Sequence, residues 1–177
     1  MKLELKAIKY TEWASEETHC YRANLYKDGK PFAVVRNDGH GGPDYVDPHN
    51  KFSGTYKEFR KAVQDIESYF KALPPQETSL MNEDGTPWMC EQSLEGWCGD
   101  QVDDFLRAKD LKRNMGKGKY LFLVGGSEIQ AWKGGSQEPE KTIRSILQKI
   151  SDGGNEDAIC LNQLPFDEAL NLWRKYA

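Results

Sequence analysis

Tyr21-Arg-Ala-Asn-Leu-Tyr-Lys-Asp-Gly-Lys-Pro-Phe-Ala-Val-Val-Arg-Asn37 is the stretch whose reading decides the fold. Tyr21, Ala23 and Leu25 alternate with Arg22, Asn24 and Tyr26, the period-two pattern of a strand buried on one face. Asp28-Gly29 is a strong hairpin signal, because a type I′ turn needs φ > 0 at both central positions. The returning strand is Pro31 to Asn37. With Lys27 opposite Lys30, this register sets Leu25 against Phe32, Ala23 against Val34, Tyr21 against Arg36 and His19 against Asp38.

Outward from the hairpin, Leu3, Leu5 and Ile8 mark a half-buried first strand, and Ser15-Glu-Glu-Thr18 marks a turn before the second. Thr55-Tyr-Lys-Glu58 is a capping box that starts a helix carrying Phe59, Val63, Ile66 and Phe70 on one face, and Pro74-Pro75 ends that run. Gln76 to Trp88 lacks periodicity and reads as a long surface loop. A second helix is expected over Gln92 to Asn114, with Gly96 and Gly99 weakening its start. Tyr120 to Val124 is a short apolar run fit for a buried strand, and Glu128 to Lys133 returns beside it as an edge strand between two Gly-Gly-Ser turns. Pro139 opens a helix with Ile143, Ile146, Leu147 and Ile150 on one face, capped at Gly153. Ala158 to Leu161 is a further strand, and Phe166 to Tyr176 a last helix.

The fold class is therefore α+β: a single domain over residues 1–177, with an antiparallel hairpin-based sheet and about four helices packed on it. A soft boundary at 76–88 would separate an N-terminal hairpin-plus-helix half from a C-terminal αββαβα half.

A formal net charge of −4 speaks against non-specific binding to duplex DNA, which requires a net basic surface. No apolar run is long enough for a membrane span, and the charged start Met1-Lys-Leu-Glu-Leu-Lys6 lacks the apolar core of a signal peptide, so a cytoplasmic protein is expected. Cys20, Cys90, Cys98 and Cys160 form no C-x-x-C pair and match no zinc spacing, so they are read as reduced thiols.

The densest chemistry lies in Arg36-Asn-Asp-Gly-His-Gly-Gly-Pro-Asp-Tyr-Val-Asp-Pro-His49. Three readings stand. The glycines serve an irregular turn that needs φ > 0. Alternatively Gly39, His40, Gly41 and Gly42 offer backbone N–H groups and an imidazole to a phosphate or carboxylate. Or His40, Asp44, Asp47 and His49, with His19 or Asp38 nearby, hold a divalent transition metal for hydrolysis or nuclease chemistry. No P-loop follows, and the two-cysteine or Asn-His framework of a nuclease motif is absent.

A second anion candidate is the basic end of the second helix: Lys112, Arg113, Lys117 and Lys119 among Gly116 and Gly118. The same charges also suit the helix dipole, since the preceding stretch from Gln76 to Asp104 carries only acids. Trp13 and Trp88 lie in loops, where an exposed indole is a partner-binding hot spot. No G-x-S-x-G occurs and no cysteine sits among basic neighbours, so nucleophilic catalysis lacks support and no catalytic residue or cofactor is assigned.

Ser15-Glu-Glu-Thr-His-Cys-Tyr21, the Asp28-Gly29 hairpin and Arg36-Asn-Asp-Gly-His-Gly-Gly42 together resemble a family of small proteins, without assigned activity, encoded by tailed bacteriophages and prophages. The similarity extends to Cys160-Leu-Asn162 and Leu164-Pro165. The resemblance implies a phage accessory protein in the bacterial cytoplasm that binds and blocks a host defence factor or sequesters a phosphate-containing nucleotide signal. The expected partner is a host protein or a nucleotide-type ligand. A metal-dependent hydrolase using loop 38–49, and a structural or assembly protein, are the alternatives. Homo-oligomerisation is left open.

Overall fold

The computed structural model describes all residues of the chain except Lys117, Ser136 and the side chain of Ser79. Among the described residues it is an α+β fold of four helices and three antiparallel sheets. Its contacts gather into two compact units, Met1–Asp103 and Asp104–Ala177, the division falling inside the second helix.

In the first unit, β1 (Leu3–Tyr10), β2 (Tyr21–Lys27), β3 (Lys30–Asn37) and β4 (Tyr45–Pro48) form one antiparallel sheet in sequential order. The Asp28-Gly29 turn is as expected, both residues lying at positive φ (49° and 77°). The register is a different matter. Lys27 pairs with Lys30 and Tyr26 with Pro31, but Leu25 then pairs with Ala33, Ala23 with Val35 and Tyr21 with Asn37. One extra residue at Phe32 makes a bulge beside Pro31, which has no N–H to give the ladder.

Phe32 and Ala33 are consequently both buried, and every later side chain of β3 changes face. The expected pairing of Tyr21 with Arg36 is thus corrected. Asn37 points inward opposite Tyr21, and Arg36 points outward opposite Arg22. A second bulge, at Ala7 (φ 52°), accounts for the broken phase between Leu5 and Ile8.

Helix α1 (Tyr56–Lys71) starts at the Thr55/Glu58 capping box and buries Phe59, Ile66 and Phe70. Phe59 lies 5.2 Å from Phe32 and 5.5 Å from Phe52, ring centre to ring centre, so the bulged residue anchors an aromatic cluster between sheet and helix.

The stretch expected to be a loop is instead a hairpin, β5 (Gln76–Met81) and β6 (Pro87–Cys90). Its turn is built by Asn82, whose N–H donates to the Thr86 carbonyl, by Asp84, which accepts from the Thr86 N–H at 2.9 Å, and by Gly85 at φ 81°. Asp84-Gly85 is the same signal as Asp28-Gly29. The strands it joins lack apolar alternation, so in sequence they read as a loop.

Helix α2 (Leu94–Asn114) begins at Ser93, whose Oγ accepts from the Gly96 N–H at 2.9 Å.

In the second unit, β7 (Lys119–Val124) lies between β8 (Glu128–Lys133) and the short β9 (Ile159–Cys160). The apolar run is buried on both sides. Tyr120, Phe122 and Val124 pack with Ile143, Ile146 and Ile150 of α3 (Pro139–Asp152). Leu121 and Leu123 pack with Leu111, Leu161 and the Ala169 and Leu170 of α4 (Phe166–Tyr176).

Asn162 closes this layer. Its Oδ1 accepts from the Leu121 N–H at 2.8 Å, and its Nδ2 donates to the Met115 and Lys119 carbonyls at 3.2 and 3.1 Å. Asn162→Ala leaves a strand N–H and two carbonyls short of partners, so we expect a loss of about 2–3 kcal/mol, read as a lowered urea midpoint.

Candidate functional site

Asn37 is the buried polar residue of the described core, 6% exposed, and its amide joins four pieces of chain. Its Oδ1 accepts from the Thr18 hydroxyl at 2.8 Å and from the Gly39 N–H at 2.9 Å. Its Nδ2 donates to the Gly42 carbonyl at 2.9 Å and to Asp44 Oδ1 at 3.0 Å. Both heads are fully used, as a buried amide requires.

Gly39 completes the fastening from the other side. Its carbonyl accepts from the N–H groups of Glu16, Glu17 and Thr18 at 3.0, 2.9 and 3.3 Å. A Cβ on Gly39 would stand 1.9 Å from the Ala14 carbonyl oxygen, and its φ is +91°, so the position demands glycine.

These bonds hold loop 11–20 against the Gly39–Asp44 segment, and a cavity of about 490 Å³ opens between them. Tyr10, Tyr21 and His19 give it ring surfaces, and Glu16, Glu17, Asp44 and Glu95 give it carboxylates. Among the described residues, no lysine or arginine lines it. His19 packs edge-on to Tyr10 at 5.5 Å and bonds through Nε2 to the Asp103 carboxylate at 2.7 Å.

Tyr21 donates its hydroxyl to Asp44 Oδ2. Burial pushes the Asp44 carboxyl above its ordinary value, although the bonds from Tyr21 and Asn37 pull the other way. Burial, and then the Asp44 charge, push Glu95 up as well. Burial also raises the Tyr21 phenol and, beside it, the Cys98 thiol, so both stay protonated at neutral pH. The cavity's four lining carboxyl groups, with no described lysine or arginine beside them, suit a cationic group.

Loop 11–20 also displays Trp13, 88% exposed on the 3-10 turn Glu12–Ala14. The turn is tied down: the Thr11 carbonyl accepts from the Ala14 N–H at 3.3 Å and the Ser15 hydroxyl at 2.9 Å, and Ser15 Oγ accepts from the Cys20 N–H at 2.9 Å.

The residues singled out in the sequence are placed as follows. The N–H groups of Gly39 and Gly41 are taken by Asn37 and by the Thr18 hydroxyl, and His40 lies 3.3 Å from Glu16. His40, Asp44, Asp47 and His49 do not converge. Asp44 faces the cavity, Asp47 lies 3.7 Å from Arg36 Nε on the outer face, and His49 Nδ1 accepts from the Lys51 N–H at 3.1 Å. Among the described residues, no three His, Cys, Asp or Glu side chains are placed to hold a metal ion.

Lys112 lies over the Phe166 ring at 4.8 Å, Arg113 pairs with Asp110, and Lys119 begins β7. All three belong to the second unit, and Lys117 lies outside the described residues. Trp88 is 55% exposed on β6. Among the described residues, no helix is long and apolar enough to cross a membrane.

Asn37, Thr18, Tyr21 and Glu95 were missed as site residues. The available signal was an asparagine at an inward strand position, which the unbulged register hid. Family models, curated proteins and solved structures give no match to this chain.

Gly39→Ala combines a strained φ with a backbone collision, so it should cost about 2–4 kcal/mol in urea unfolding. Gly42→Ala meets nothing within 4 Å and should stay within about 0.5 kcal/mol.

The raised Asp44 and Glu95 carboxyls bind protons in the folded state at pH values where the unfolded chain has lost them. Their protonation therefore adds stability as pH falls, and that contribution is lost as pH rises through the raised values. Unfolding free energies compared between neutral pH and the ordinary carboxylate range should show this gain, and Asp44→Asn should diminish it.

Proposed function

We propose that the chain is a non-enzymatic binding protein, with loop 11–20 as the surface that engages a protein partner. Trp13 carries this reading, being an indole 88% exposed on a turn held by its own hydrogen bonds. An aromatic fixed in advance pays little ordering entropy on binding, and tryptophan is among the side chains that dominate interface energetics.

The chemistry around it defines the partner. Glu12, Glu16 and Glu17 flank Trp13 in sequence, and the adjoining cavity is lined by carboxylates and tyrosine rings. The complement is a basic surface with an apolar recess for the indole and a lysine or arginine to enter the cavity. The resemblance to phage-encoded proteins directs the search to host proteins of the bacterial cytoplasm, defence factors among them.

Affinity capture from bacterial lysate with the wild type and with Trp13→Ala tests the proposal. The identified partner should bind the purified variant about 30-fold more weakly, the loss of a tryptophan hot spot, with no change in melting temperature. Glu16→Lys and Glu17→Lys should weaken it too, and added salt should weaken the wild-type complex. A partner held equally well by Trp13→Ala defeats the reading.

A further inference from the structure

The solvent face of the N-terminal sheet carries a second feature, of opposite sign to the cavity. Register places Lys9 opposite Arg22, Arg22 opposite Arg36, and Arg36 opposite Tyr45, one row across β1, β2, β3 and β4. Residues paired in this way share a face with their Cβ atoms close together, and like charges in such positions repel. All three basic residues are exposed.

The protein offsets part of this. Arg36 stacks on the Tyr45 ring at 4.3 Å and lies 3.7 Å from Asp47. Lys9 and Arg22 have no hydrogen-bonding or ion-pair side-chain partner among the described residues. Arg22 and Arg36 also wall a hollow of about 350 Å³, shared with Asn24, Asp47, His49 and Asn50.

We infer that this row is an anion site for the linked phosphoryl groups of a nucleotide or polyphosphate. Neighbouring strands lie about 4.8 Å apart, so three cations cover roughly 10 Å, a span suited to a phosphate chain and too long for one carboxylate. Guanidinium groups take phosphate oxygens two at a time, and Tyr45 holds one of them flat for the purpose. Asn24 and His49 add donors at the edge of the hollow, and Asp47 sets a limit by repelling anions that enter on its side. The site is separate from loop 11–20 and does not depend on the partner proposed for it.

The test is a titration of the isotope-labelled full chain with sodium tripolyphosphate and with ATP, followed by NMR at low salt. Amide shifts should concentrate in β1, β2 and β3. Arg22→Gln and Arg36→Gln should each weaken tripolyphosphate binding about tenfold. Equal affinities for the two probes assign the site to the phosphate chain, and tighter ATP binding assigns it to a nucleotide; both support it.

Melting curves give a second readout. Arg22→Gln should melt above the wild type without anion, since a repulsion is gone, and should gain less from added tripolyphosphate. Shifts confined to Lys112–Lys119, no saturable binding, or an affinity unchanged in both variants overturns the inference.

Discussion

One amide side chain holds the N-terminal site together. Asn37 is buried, and each of its polar atoms binds two partners drawn from loop 11–20, the glycine segment and the start of β4. A buried amide with a missing partner costs more than the bond it loses, so these segments are held jointly. Loop 11–20 keeps its shape because Thr18 reaches Asn37, and Asp44 stays in the cavity because Asn37 and Tyr21 both donate to it. Trp13 therefore stands in solvent on a turn fastened by its own hydrogen bonds.

Most of the fold was legible because local signals agreed with tertiary packing. Asp28-Gly29 set the hairpin, Thr55 and Glu58 set the start of α1, and Pro139 and Gly153 bounded α3. β7 reads as a continuous apolar run because α3 covers one face and α4 the other. Where the reading failed, the determinants were not periodic. Gln76–Cys90 forms strands from polar and solvent-facing residues around Asp84-Gly85, and a hairpin of that composition resembles a loop in hydropathy.

The site was legible in place and not in content. The glycine- and aspartate-rich segment does border the cavity, and Gly39 is required for its close approach to Ala14. Its chemistry was hidden by a single inserted residue. Strand side chains alternate, so the bulge at Phe32 exchanges the two faces for the remainder of β3. Read without it, Arg36 points inward and Asn37 outward, and neither the amide hub nor the basic row exists. Glu95 was equally out of reach, because nothing in the sequence brings the first turn of α2 beside Asp44.

The bulge also decides how the first unit presents itself at a distance. With alternate residues facing opposite ways, the sheet separates its charges like the plates of a capacitor. Asp44 and the cavity-lining Glu16 and Glu17 lie on one side, and Lys9, Arg22 and Arg36, offset in part by Asp47, on the other. Such a separation gives a dipole through the thickness of the sheet even where the net charge is small. A charged molecule approaching within about a Debye length of 8–10 Å feels a torque as well as an attraction, and turns the appropriate side towards itself before contact. The inserted residue thus sets an orientation in solution as well as a register in the sheet.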